Sequence, residues 1–163
     1  MTEQSSDLFL LNDTWTLWFH DLQSNDWTIN GYSIVQKIRS IEDFWIVMNN
    51  INLNIGMYYL MRGDYKPMWD DPNNINGSNY TYKCLLNDTS KHFYNFAVMM
   101  LGETLYSTPN TFVGISTSPK SKNNIIRLWS TTAVDPIKMS IESNKLLNIL
   151  EWKHIYNNEY LKK

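Results

Sequence analysis

Cysteine is nearly absent, with Cys84 alone among 163 residues. A lone thiol excludes an intramolecular disulfide and a cysteine-rich zinc site, and it suits a reducing compartment. Charge of one sign is also scarce. The formal net charge of -2 argues against broad, charge-driven nucleic-acid binding. Any such contact must be local and aromatic, with a few well-placed cations. No apolar run is long enough to cross a membrane, and residues 1–7 are polar rather than leader-like. The chain is therefore read as cytoplasmic, with no membrane partner. His20, His92 and His154 fall on separate elements and make no metal-ligand pair. There is no glycine-rich phosphate loop, and no nucleophile motif surrounds Cys84. No catalytic residue, metal ligand or cofactor is assigned, and the chain is read as a binding protein rather than an enzyme.

What the sequence does have is aromatic residues, 14% of the chain with seven tryptophans. The length fits one domain with a substantial core. Residues 14–20 alternate, with Trp15, Leu17 and Phe19 on one face and Thr16, Trp18 and His20 on the other. Tryptophan on both faces predicts a strand covered on both sides. A polar turn over 21–26 then delivers Trp27, and a second strand is expected near 31–38. Ser40 opens the clearest helix, with Asp43 completing an approximate capping box and Ile41, Phe44, Trp45 and Met48 as its apolar stripe. Further strands are expected at 57–61 and 80–86, and a second helix at 90–101 stopped by Gly102. The β-branched runs 111–117 and 125–131 read as a hairpin around a polar loop at 118–124. Asp135-Pro136 predicts a third helix through Trp152. Strands outnumber interspersed helices, so the fold class is α+β with an antiparallel sheet.

One stretch resists this scheme: Lys66-Pro67-Met68-Trp69-Asp70-Asp71-Pro72-Asn73-Asn74. The prolines lack amide donors and bias their predecessors toward extended or turn backbone. The Asp and Asn residues favour turns. A constrained loop thus presents a large aromatic with an anionic acceptor directly after it. That pair suits a flat, electron-poor ring with donors on one edge, and an alkylated guanine is the best biological match. The plain alternative is a loop tryptophan closing one end of the core.

The order of these landmarks resembles the eukaryotic translation initiation factor 4E family of messenger-RNA cap-binding proteins. Trp15-Thr16-Leu17-Trp18-Phe19 is similar to the family's W-x-L-W-F strand, and Trp27 falls at its first stacking tryptophan. Ile41-Glu42-Asp43-Phe44-Trp45 resembles V-E-D-F-W, and Pro67-Met68-Trp69-Asp70-Asp71 resembles P-M-W-E-D. Leu101-Gly102-Glu103 matches I-G-E, and Ile126-Arg127-Leu128-Trp129 matches the strand ending in a methyl-contacting tryptophan.

The resemblance implies one cap-binding domain over residues 1–163, with 1–8 as a flexible lead-in. It implies a curved antiparallel sheet with about three helices on its convex face. Trp27 and Trp69 would sandwich 7-methylguanine, Asp70 would accept from its edge, and Trp129 would lie against the methyl group. Lys120 and Lys122 would meet the triphosphate, with Arg127 as a helper. Trp15, Trp18 and Trp152 go to the core. Ile41, Trp45, Tyr94, Val98 and Gly102 would receive a scaffold of the initiation factor 4G type or a 4E-binding protein. The implied function is recruitment of capped messenger RNA to translation initiation. The alternatives are a cap-binding competitor that represses translation, or an enzyme acting on the cap. Departures are Asp70 where the family has Glu, Asn79 where it has arginine, Ile125 at a phosphate-binding basic position, Lys120 where it has arginine, and Phe9-Leu10-Leu11 where it has H-P-L. The chain is also read as a C-terminally short member, without the family's last strand and cap-flanking loop.

Overall fold

The computed structural model describes residues 7–134 and 153–162. Seven strands form one curved antiparallel sheet: β1 (Leu10–His20), β2 (Tyr32–Ser40), β3 (Met57–Arg62), β4 (Ser78–Leu85), β5 (Phe112–Pro119), β6 (Asn123–Ser130) and β7 (Lys153–Tyr156). Their order across the sheet is β2-β1-β3-β5-β6-β4-β7. Two helices are seen among the described residues, α1 (Ile41–Met48) and α2 (Thr89–Leu101). The third helix expected from Asp135-Pro136, and Trp152 with it, lies outside the described residues.

The two-residue period of the strands divides the side chains between two apolar clusters. Trp15 and Leu17 of β1, Leu60 of β3, Ile115 of β5 and Leu128 of β6 are buried with Phe44 and Met48 of α1 and Phe93, Phe96 and Met100 of α2. The intervening positions form a smaller cluster on the opposite face, where Tyr59, Met61, Val113 and Trp129 are joined by Trp18, Tyr32 and Trp69. Trp15 and Trp18 therefore pack on opposite faces of one strand, as the alternation predicts. In β5 the parity breaks. Phe112 joins the larger cluster and Val113 the smaller, although Ile115 also faces the larger one. A register shift between Phe112 and Gly114 accounts for this, because one extra residue turns every side chain before it to the other face.

Helix α1 starts as its sequence predicts. The Ser40 hydroxyl accepts from the Asp43 amide at 3.1 Å, and the Asp43 carboxylate accepts from the Arg39 amide at 2.9 Å. Helix α2 closes with the Gly102 amide donating to the Val98 carbonyl at 3.0 Å. The left-handed residue there is Glu103, with φ of 56°. Its carboxylate pairs with the buried Arg62 guanidinium, which also donates to Asn110 and lies 4.8 Å from the Trp15 ring centroid.

One expectation is corrected. The 118–124 loop is shorter than its composition implied, since β5 runs to Pro119 and β6 starts at Asn123. Fully buried Asn124 explains it, accepting from the Ser118 amide and donating to the Leu53 carbonyl and Asn54 side chain. A further strand was not expected from the sequence, and Lys153–Tyr156 pairs along β4 from Thr81 to Ser78. Four residues, two of them Lys153 and His154, carry too little apolar alternation to announce a strand.

Candidate functional site

The smaller cluster is the floor of a cavity of about 600 Å³ on the face away from α1 and α2. Trp27, Trp69, Asp70, Lys120 and Trp129 all line it, together with Arg127. These positions span more than a hundred residues of sequence. Lys122 is exposed at the hairpin tip and is not part of the lining.

Trp27 projects from the β1–β2 connection with 53% of its surface exposed. The loop beneath it is built from polar contacts. The Asp26 carboxylate accepts from the Thr28 amide and hydroxyl at 2.9 and 2.6 Å, an Asx turn. The Thr28 hydrogen bonds hold the Asp26 carboxyl below its ordinary pKa. Gly31 is required here, because a Cβ would stand 1.8 Å from the Asp26 carbonyl oxygen. Fully buried His20 lies flat against Trp27, with ring centroids 4.2 Å apart and planes 8° apart. Its Nε2 bonds the Asp26 carbonyl at 2.9 Å. One face of Trp27 is thus occupied by imidazole.

Trp69 is half-buried on its constrained loop, packed against the smaller cluster. The two carboxylates after it differ in kind. Asp71 is buried and holds the turn: its side chain accepts from the Asn73 amide at 3.0 Å, its carbonyl from the Asn74 amide at 2.8 Å. Asp70 is exposed and lines the cavity. Asp71 is occupied in making the loop, which leaves Asp70 to meet a ligand.

Trp129 forms part of the floor, only 3% exposed, with Nε1 donating to the Ser116 hydroxyl at 2.9 Å. Tyr59 meets it edge-on and also meets Tyr32. Burial pushes both phenols above their ordinary pKa, and the Asp70 charge adds to the rise at Tyr32. Both stay neutral, so the floor is aromatic and uncharged. Cationic groups enter from one side: Arg127, half-buried, with Nε donating to the Thr81 hydroxyl at 3.4 Å, and Lys120 on the β5–β6 turn. Tyr32, Met57, Tyr59 and Ser116 were not singled out from the sequence. Strand parity with Trp18 and Trp129 was the signal that could have found Tyr59 and Ser116. Chemically, the cavity offers two tryptophan rings at its wall, one outer carboxylate, and cations at one end.

The helical face carries a second concavity of about 280 Å³. Ile41 and Trp45 of α1, Val98 of α2 and Gly102 line it, with Leu10 and Leu11 alongside. Tyr94 lies outside the lining. Its hydroxyl donates to the Met48 carbonyl at 2.9 Å and its ring packs edge-on to Trp45, so it fixes α1 against α2. The Phe9 segment is tied to the start of α1, where the Phe9 carbonyl accepts from the Ile41 amide and the Glu42 carboxylate accepts from the Phe9 amide.

Comparison with known proteins gives one consistent answer. The family model described as eukaryotic initiation factor 4E matches residues 10–163. Translation initiation factor 4E-1 of Triticum aestivum is 26% identical over 133 residues, 77% of this chain and 61% of the relative. The Dictyostelium discoideum factor is 28% identical over 153 residues, 86% of this chain and 60% of the relative. The chain thus spans about three-fifths of the length of these relatives. Among solved structures, C. elegans eIF4E-3 in complex with the 4E-binding protein Mextli and a cap analog superposes with a TM-score of 0.82 at 20% identity, covering 96% of each chain. Ascaris suum eIF4E-3 with m7G cap gives 0.72 at 20% identity, covering 87% of this chain and 83% of that one.

Proposed function

Because the chain belongs to the eukaryotic initiation factor 4E family, we propose that it binds the 7-methylguanosine cap of messenger RNA and delivers capped messages to translation initiation in the cytoplasm. The observation that carries this reading is the single cavity shared by Trp27, Trp69 and Asp70 over a floor of Trp129 and Tyr59. The base stacks between Trp27 and Trp69, each stack contributing about 1–3 kcal/mol. Methylation at N7 makes the ring cationic, and a desolvated cation–π interaction adds roughly 2 kcal/mol. Asp70 accepts from the N1–H and the exocyclic amine, charge-assisted bonds of about 1.5–3 kcal/mol each. Lys120 and Arg127 face the triphosphate. No group in this scheme needs to break a bond, so the role is binding. Trp69→Ala tests it directly: the folded variant should lose retention on immobilised 7-methylguanosine, by more than about thirtyfold in affinity. Wild-type retention by a folded variant would remove the sandwich.

The groove of Ile41, Trp45, Val98 and Gly102 fits the apolar face of a partner helix, from a scaffold of the initiation factor 4G type or a 4E-binding protein. A second reading keeps cap binding but makes the protein a competitor that represses translation. The observation favouring it is the Phe9-Leu10-Leu11 entry, which departs from the family pattern where Leu10 and Leu11 line that groove. A pull-down with a scaffold peptide, using Trp45→Ala as the control, separates the two. Capture that Trp45→Ala abolishes supports recruitment; no capture by the wild type supports the competitor.

A further inference from the structure

The Trp69 loop is held from below by a buried chain of asparagine side chains that ends in the C-terminal segment. Asn74, 3% exposed, turns its amide inward and donates to the carbonyls of Lys66 at 2.8 Å and Met68 at 2.7 Å. Both acceptors lie within the three residues before Trp69, so one side chain fixes the backbone that aims the ring. The Asn74 carbonyl accepts in turn from the side chain of Asn157 at 2.6 Å. Asn157 is 1% exposed and follows directly after β7. Its side-chain oxygen accepts from the Asn79 amide at 2.9 Å, and the Asn79 oxygen accepts from the Thr81 hydroxyl. The Asn157 backbone amide donates to the Gly77 carbonyl at 3.0 Å. Gly77 itself is pressed against β6, where a Cβ would stand 2.3 Å from the Ser130 carbonyl oxygen.

We infer that Asn74 and Asn157 are positioning residues for Trp69 and Asp70, and that the C-terminal segment after β7 is a working part of the cap site. The inference rests on the cap-binding reading for its ligand. Neither side chain lines the cavity, so each acts through the loop. Buried amides of this kind are costly to leave unpaired, because a lost partner exposes the full desolvation penalty of the group that remains. The loop between Pro67 and Gly77 has few apolar anchors apart from Trp69 itself, so polar contacts must set its geometry. The direction of donation is uniform, from Thr81 through Asn79 and Asn157 to Asn74 and on to the carbonyls before Trp69. Binding that orders Trp69 should therefore also order Asn157, and loosening Asn157 should loosen Trp69.

The experiment pairs hydrogen exchange with fluorescence titration on the full chain. Asn157→Asp keeps the acceptor for Asn79 but sets an oxygen against the Asn74 carbonyl. In the free protein it should speed amide exchange across residues 66–77. It should weaken 7-methylguanosine and its triphosphate alike, by about tenfold, because the phosphate contacts are untouched. Asn74→Ala should do the same, and it should cost clearly less in a Trp69→Ala background, where only Asp70 is left to position and a general loss of structure would still cost in full. If Asn157→Asp does not fold, the wild type decides: adding 7-methylguanosine triphosphate should slow exchange at 153–159 as well as at 66–77. A wild type that binds no cap would sink the functional reading, while exchange in the free variants would still decide whether Asn74 and Asn157 hold the Trp69 loop. The inference is overturned if folded Asn157→Asp exchanges and binds like wild type. It is equally overturned if ligand protects 66–77 and leaves 153–159 unchanged.

Discussion

Adjacent carboxylates at Asp70 and Asp71 stand in different surroundings. Asp71 is buried in its turn, while Asp70 lines the cavity. Asp70→Asn keeps the shape and one acceptor but turns the second acceptor into a donor facing guanine donors. It also removes the charge that meets a cationic base. A loss on the order of 2–3 kcal/mol for 7-methylguanosine is expected, read by titration. Asp70→Glu restores the family side chain and should bind as well or better. A marked loss with Glu would mean that the loop has closed around the shorter acid, and no effect of either change would shift base reading to another group. At the same scale, His20 beneath Trp27 was not legible as a site residue. Its parity on β1 placed it on the cavity face, but the stacking depends on a turn whose closure runs through Gly31 and the Asp26 carbonyl.

Among elements, the close of α2 is tied to the sheet by a buried ion pair. Glu103 holds a left-handed conformation to pair with Arg62 of β3, a guanidinium that is 5% exposed and stacked on Trp15. Removing one partner of a buried pair leaves an uncompensated charge, typically costing several kcal/mol. Glu103→Gln should lower unfolding stability by about 3 kcal/mol in urea melts, softened by the Asp13 carboxylate 3.4 Å from the Arg62 Nε. Cap affinity of the folded fraction should not change, since neither residue lines that cavity. A fall below about 1 kcal/mol would mean that Asp13 and Asn110 suffice for Arg62. Element legibility followed the range of the forces involved. The Ser40–Asp43 cap, the α1 stripe and the alternation of β1 are local, and their residues announce them. The β5 register shift, the asparagine that shortens the β5–β6 loop, and the edge strand β7 are settled by partners far along the chain. Asn124 reaches Leu53 and Asn157 reaches Asn74, separations of 71 and 83 residues that leave no periodic trace.

At the scale of the whole molecule, one sheet serves two surfaces. Its helical face bears an apolar groove and its other face an aromatic cavity with cations at one end. The two-residue alternation of the strands assigns side chains to one surface or the other, which is why motifs scattered from Trp15 to Trp129 could point to a common site. The central claim is that the cavity reads a methylated, cationic guanine by stacking. Titration of tryptophan fluorescence with 7-methylguanosine triphosphate and, in parallel, with unmethylated guanosine triphosphate tests this most directly. Both ligands carry the same phosphates, so the lysine and arginine contacts cancel and only the base differs. A saturable change with the methylated nucleotide, at an affinity roughly thirtyfold tighter than for its unmethylated counterpart, is the predicted result. Equal affinities for the two would contradict it.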